Sequence, residues 1–256
     1  MAPDSAEETP QNQRQVGFDP NLGRPLPLDA AFVDETGQAV RLGDYFGKKP
    51  VMLSMVYYGC PMLCPMTLNG LTSSLKALTW NVGDEFEVVV VSIDPEETPE
   101  DAAEAKLQAT SRYGRTGTEA GWHFLTGDEA DIERLADAVG FRYQYDPERD
   151  EYGHAAGLTM ITPEGYVSRY FFGIEYPPKD LKLGLVETAS GEVGSLVEQL
   201  LLYCFHYDPA IGSYEWSERA MTALRIAAVL TVLGMIGGIL WMLRLEKRHR
   251  SQPRTA

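Results

Sequence analysis

Basic residues are scarce in this 256-residue chain: 22 Lys and Arg stand against 37 Asp and Glu, a formal net charge of −15. No surplus of cations is present to neutralise phosphates, which excludes a nucleic-acid binder. An apolar run is missing from the N-terminus as well. The opening MAPDSAEETPQNQRQ has no hydrophobic region of the kind a signal peptide needs, and residues 1–15 read as a solvated, disordered tether. No internal repeat is visible, and cysteine occurs only at Cys60, Cys64 and Cys204. With 44% hydrophobic residues the chain still has ample material for a packed core, and its length fits one domain or two.

From Met221 to Leu243 it is charge that is missing. MTALRIAAVLTVLGMIGGILWML is apolar except for Arg225 and its threonines. As a helix it is long enough to cross the roughly 30 Å hydrocarbon core of a bilayer, with Arg225 snorkelling to the interface. Arg244, Lys247, Arg248, Arg250 and Arg254 against Glu246 give the last stretch a charge of +4, so the remainder carries −19. That asymmetry predicts a single-pass protein of the bacterial inner membrane. Residues 244–256 form a basic cytoplasmic tail, 207–220 a linker, and everything before the span a periplasmic domain. Export of so large a domain normally takes a signal peptide, so the expectation includes one removed from, or missing at, the start.

Between tether and span the pattern is α/β. AAFVDETGQAVRLGDYF reads as a hairpin around Glu35-Thr36-Gly37, PVMLSMVYY and FEVVVVSID as buried strands, and WHFLTG as a short strand. PMTLNGLTSSLKALTW reads as a helix opened by Pro65. A second helix is capped by Thr98 with Pro99 at its first position, and a third runs from Asp128 to Gly140. GLTMITPEGYVSRYFFG follows as a strand pair turning at Pro163-Glu164-Gly165, and Leu183 to Phe205 reads as a closing helix. Strands alternating with helices before a terminal hairpin predict a central mixed sheet over residues 16–206.

Chemistry concentrates where the first buried strand ends, in YYGCPMLCPM. Pro65 suits a first helical turn, which puts Cys64 at the N-cap and Cys60 in the loop before it. Helix N–H groups and the positive end of the dipole favour thiolate there. Three uses compete. A structural disulfide would close too short a loop to add much constraint. A dithiol oxidoreductase fits the strand, cysteines, helix order of thioredoxin-like enzymes, with Cys60 and Cys64 as the redox pair. The usual redox spacing, however, is two intervening residues, and here Pro61, Met62 and Leu63 make three. A metal site would use the wider gap and needs a further ligand. His154, in a Gly-flanked loop in DEYGHAAGLTM, is the candidate, and on its own it serves equally as ligand or plain loop histidine. His123, between Trp122 and Phe124, reads as a core or edge histidine, and His249 belongs to the basic tail. Two thiolates and an imidazole would be a soft, low-coordinate set suited to copper.

CPMLCP, GHAAGLT, the lead VDETGQAVRLGDYFGKKPVMLSMVYYGC and VVVVSIDPEETPE together resemble the Sco/SenC family of copper chaperones for cytochrome c oxidase assembly, over about Val16 to Leu202. The resemblance implies a thioredoxin-like fold and copper, as Cu(I) or Cu(II), bound by Cys60, Cys64 and His154. It also implies delivery of copper to, or reduction of, the dinuclear copper site of oxidase subunit II, or service to another respiratory copper protein. Many members carry a membrane anchor at the N-terminus, whereas the span here is C-terminal. Beside the chaperone stand two other readings, a thiol-disulfide reductase acting on client cysteines and a copper or redox sensor. The absence of a proline at Ala155-Ala156-Gly157, facing the thiols, weighs against a general oxidoreductase.

Lesser signals have plainer uses. Met62 and Met66 could offer thioethers to Cu(I), but methionines of this kind usually pack. Asp94 reads as a turn cap, and Cys204 and His206 as packing residues of the terminal helix. Gly234 and Gly238 form a GxxxG in the span that would allow a weak homodimer.

Overall fold

The computed structural model describes residues 16–59, 63–193, 205–208 and 213–216. Its centre is built from the most apolar runs of the sequence. All six residues of β4 (Val51–Val56) are buried, as are five of the six in β5 (Glu87–Ser92). The two pair in parallel from Val51 with Glu87 to Val56 with Ser92. Parallel strands covered on both faces show continuous hydrophobic runs instead of alternation, which is why both strands were legible in the sequence. β6 (Trp122–Thr126) continues the parallel set beside β5.

Antiparallel strands close both sides. β9 (Gly157–Ile161) pairs with β4, and β10 (Val167–Phe172) with β9. On the other side β2 (Ala31–Asp34) pairs with β6 and with β3 (Ala39–Arg41). The seven-stranded order is β10-β9-β4-β5-β6-β2-β3, the mixed sheet that the sequence predicted. β1 (Gly17–Phe18), β7 (Phe141–Asp146) and β8 (Glu151–His154) form a second, three-stranded sheet.

The helices follow their caps. α2 (Pro99–Tyr113) opens with a capping box in which Thr98 accepts from the Asp101 N–H and the Asp101 carboxylate accepts from the Thr98 N–H at 2.8 Å. α3 (Glu129–Val139) is capped by Asp128 and stopped by Gly140 in the left-handed region at φ 65°. α1 (Leu63–Lys76) packs against α2, α2 against β6, α3 against β7, and α4 (Pro178–Ala189) against β9 and β10.

Three expectations are corrected. α1 starts at Leu63, so Cys64 is its second residue, not its cap; Pro65 still falls in the first turn, where its missing N–H costs nothing. The helix expected from Leu183 to Phe205 starts earlier and does not run on unbroken: Pro177 and Pro178 set its start, Gly191 at φ 75° takes the chain out of helical geometry after Ser190, and residues 194–204 of the expected stretch lie outside the described residues. His154 is not in a loop, because the alternating FRYQYD pairs with Glu151–His154 as a hairpin around residues 147–150.

The chain falls into two units, Met1–Gln199 with Tyr207–Ser213 and Leu200–His206 with Tyr214–Ala256. The seven-stranded sheet, Cys60, Cys64 and His154 belong to the first. Across the expected boundary between domain and linker at 206/207, β11 (Phe205–Asp208) and β12 (Ser213–Trp216) form a two-stranded sheet. Among the described residues no helix is long and apolar enough to cross a membrane. The predicted span, 221–243, the tether 1–15 and the tail 244–256 lie outside them.

Candidate metal centre

Topology brings His154 and the chain that leads into Cys60 to one end of the sheet. Tyr57, Tyr58 and Gly59 follow β4 at its carboxyl end and lead directly to Cys60. β9 runs antiparallel to β4, with Val51 opposite Ile161 and Leu53 opposite Thr159. The start of β9, and His154 three residues before it, therefore lie beyond the same carboxyl end. Ring contacts agree: His154 meets Tyr57 edge-on at 6.1 Å between centroids and Phe141 at 6.1 Å. Ligand sites of open α/β sheets gather at such ends.

His154 is 6% exposed. Its Nδ1 lies 3.0 Å from the carbonyl oxygen of Ala155, and a carbonyl can only accept, so Nδ1 carries the proton. With Nδ1 donating, an imidazole in its neutral form presents its lone pair at Nε2, the tautomer in which metal-binding histidines are commonly held. The surroundings are aromatic. Tyr57 packs on Tyr152 at 5.7 Å, and Tyr152 on Tyr143 and Tyr145. Burial, with acidic neighbours adding to it, pushes the Tyr143 and Tyr152 phenols up to about 12, so both stay neutral. Gly157 keeps this corner tight: a Cβ there would sit 2.9 Å from the Phe18 ring and 3.0 Å from the Phe171 carbonyl oxygen.

The loop leading to Cys60 is held from two directions. The Tyr58 hydroxyl donates to the Leu125 carbonyl at 2.9 Å and lies 3.2 Å from that of Val90, tying the loop to β6 and β5. From the loop after β5, Glu97 accepts the Tyr58 N–H at 2.9 Å on one carboxylate oxygen and the Gly59 N–H at 2.6 Å on the other. The Ser92 hydroxyl donates to the same carboxylate. Burial raises the Glu97 pKa and outweighs these three hydrogen bonds; Asp94 pushes the same way. The sequence reading passed over Glu97, because DPEETPE shows an acidic turn and nothing of what the turn touches. A cavity of about 230 Å³ opens behind this loop between α1 and α2, with Tyr58, Gly59, Leu68 and Ala105 among its walls.

Cys60 and Met62 lie outside the described residues, and for Cys64 the backbone alone is described, in the first turn of α1. Among the described residues no group of three or more His, Cys, Asp or Glu is arranged to hold a metal. Met66 is exposed. Asp94 caps its turn by accepting the Glu96 N–H at 2.9 Å, as expected. His123 sits on β6, an inner strand, half-buried against the Tyr45 ring and 3.3 Å from Glu87, a structural histidine with a partner. Cys204 lies outside the described residues and His206 falls in β11.

A mixed sheet, a cysteine pair where a central parallel strand passes into a helix, and a buried histidine at the same end define a thioredoxin-like domain of the Sco type. The family model for SCO1/SenC matches residues 27–186, more than half of the chain, and the protein belongs to that family. Protein sco1 of Schizosaccharomyces pombe is 27% identical over 158 residues, 56% of this chain and 54% of that protein. The chain thus spans about half the length of this curated relative. A crystal structure from Aquifex aeolicus VF5, provisionally described as an electron transfer protein, matches with a TM-score of 0.59 and 28% identity, over 67% of this chain and 96% of that one. Arabidopsis thaliana ScoI with copper bound shares the fold, with a TM-score of 0.52 and 20% identity over 67% of this chain and 99% of its own.

Proposed function

We propose that this protein binds copper through Cys60, Cys64 and His154 and delivers it to the dinuclear copper site of cytochrome c oxidase subunit II. In this reading copper is cargo. Residues 221–243 anchor the chain in the bacterial inner membrane, with the domain in the periplasm and the basic tail in the cytoplasm. The observation that carries the proposal is the buried His154, its proton fixed on Nδ1, at the same end of β4 that runs into the cysteine pair. The copper-bound Arabidopsis relative supports the choice of metal.

The donor chemistry fits the ion. Two thiolates and one imidazole are soft ligands, and three of them leave a position through which copper can pass to a client. The first turn of α1 supplies N–H groups that favour thiolate at Cys64. Aromatic rings, Tyr57 and Phe141, pack directly against the imidazole and fix its place.

A thiol-disulfide reductase would need the same cysteines but not the histidine, and that separates the two activities. With full-length protein in detergent, copper transfer to an oxidase copper-site peptide and reduction of that peptide's disulfide are measured in parallel. His154→Ala is expected to lose transfer and keep most of the disulfide exchange. Transfer at the parent's rate by His154→Ala, with reduction at the rate of a dedicated reductase, would replace the chaperone by the reductase. For topology, a reporter fused after Ala256 is expected to be active in the cytoplasm; periplasmic activity would reverse the orientation.

A further inference from the structure

Glu97 uses both carboxylate oxygens on two consecutive N–H groups, Tyr58 and Gly59, that lie 38 to 39 positions earlier in the chain and immediately precede Cys60. We propose that Glu97, steadied by Ser92, is a positioning residue that braces the Cys60 loop in the geometry needed for the two thiols to share one metal ion. The inference rests on the copper-binding reading and extends it to a residue outside the ligand set.

Local turn formation does not account for the contact. The turn after β5 closes on itself through Asp94, which accepts the Glu96 N–H on its side chain and the Glu97 N–H on its backbone. α2 is capped separately by Thr98 and Asp101. Glu97 is required by neither. Its carboxylate meets the turn only through the Ser92 hydroxyl and reaches across to the loop after β4. Successive N–H groups offered to one anion are a charge-assisted arrangement, stronger and more directional than neutral hydrogen bonds. Among the described residues no Lys or Arg forms an ion pair with this carboxylate, and burial raises its pKa. An acid kept in a half-buried place that opposes its charge is the kind of local conflict expected at a working site. Tyr58 adds a second tie through its hydroxyl, so the two residues preceding Cys60, Tyr58 and Gly59, have little freedom relative to β5 and β6.

The brace acts on the metal at one remove, as outer-shell partners do. Loss of such a partner typically costs about ten- to hundred-fold in metal affinity. Glu97→Gln is close to isosteric, but its amide nitrogen would meet one of the two N–H donors with a donor of its own. Full-length protein in detergent is titrated with Cu(I) against a chelator. Hydrogen exchange of the segment holding Tyr58 and Gly59, the dithiol reduction potential and the melting temperature are read on the same samples. Glu97→Gln is expected to weaken Cu(I) binding about ten-fold or more, to speed exchange at Tyr58 and Gly59 and to shift the potential. Thr98→Ala, which strips the cap from α2 but leaves the carboxylate, should lower the melting temperature without any of those changes. If Glu97→Gln does not fold, Ser92→Ala is expected to give a smaller loss in the same direction. Cu(I) affinity in Glu97→Gln equal to the parent's, or an equal loss in Thr98→Ala, overturns the brace. A parent that takes up no copper overturns the functional reading instead, and the brace is then decided by exchange and potential alone.

Discussion

The two ends of the parallel strands each carry a partly buried glutamate, and the two are treated in opposite ways. At the amino end Glu87, the first residue of β5, lies 3.0 Å from the Lys49 ammonium and 3.3 Å from His123. Burial alone would raise its pKa, but hydrogen bonds and charge from His123 and Lys49 outweigh burial and lower it. Backbones are also pressed together there: a Cβ on Gly121 would sit 2.3 Å from Gly83. At the carboxyl end Glu97 has a hydroxyl and two amides for partners, and burial leaves its pKa raised. One end is neutralised and closely packed. The other keeps an acid where ionisation is disfavoured, next to the cysteine loop and the buried His154. If copper is held as proposed, the carboxyl end is where the fold trades stability for a working geometry.

The largest expected effects separate the two ends by function. Cys60→Ser or Cys64→Ser should abolish retention of copper after gel filtration while the melting temperature hardly moves; a copper-retaining serine variant would break the comparison at the carboxyl end. Gly121→Ala should do the reverse. Its methyl group meets backbone, which cannot swing aside, so a loss of about 2–3 kcal/mol in thermal or denaturant unfolding is expected with copper stoichiometry intact. Loss of copper binding in a folded Gly121→Ala would show that the ends are not independent.

A smaller effect sharpens the contrast through pH. The lowered pKa of Glu87 contributes stability that is present above the ordinary carboxylate range and lost as pH falls through its own lower value. The raised pKa of Glu97 has the opposite sign: its contribution is fully present below the ordinary carboxylate range and is lost as pH rises through the raised value. The parent should therefore gain on Glu87→Gln as pH rises from acid, reaching about 1–2 kcal/mol near neutrality. Over the same range its margin over Glu97→Gln should narrow. Melting temperatures of the three proteins across the acid range test this, and parallel slopes for the two variants would erase the distinction.

What could be read from the sequence follows the range of the interactions. β4, β5 and the capped helices α2 and α3 were legible because buried runs, Thr98, Asp128 and Gly140 state their structure within a few residues. The cysteine pair was legible for the same reason. The hairpin that carries His154 was not, since FRYQYD and EYGH mix aromatic with polar residues and only their pairing makes strands of them. Burial of His154 against Tyr57 depends on β9 running antiparallel to β4, and the grip of Glu97 on Tyr58 and Gly59 spans the β4–α1–β5 crossover. Neither leaves a local pattern. An acid in a turn looks the same whether it caps the turn, as Asp94 does, or reaches across to another loop.

The central claim is that copper is held at the carboxyl end by two sulfurs and one imidazole. X-ray absorption of the reduced full-length protein loaded with one copper ion tests it most directly, with His154→Ala measured alongside. Two sulfur scatterers and one imidazole shell in the parent, with the imidazole shell gone and both sulfurs kept in His154→Ala, is the predicted result. Copper without sulfur neighbours, or the same imidazole signal in both proteins, would contradict it.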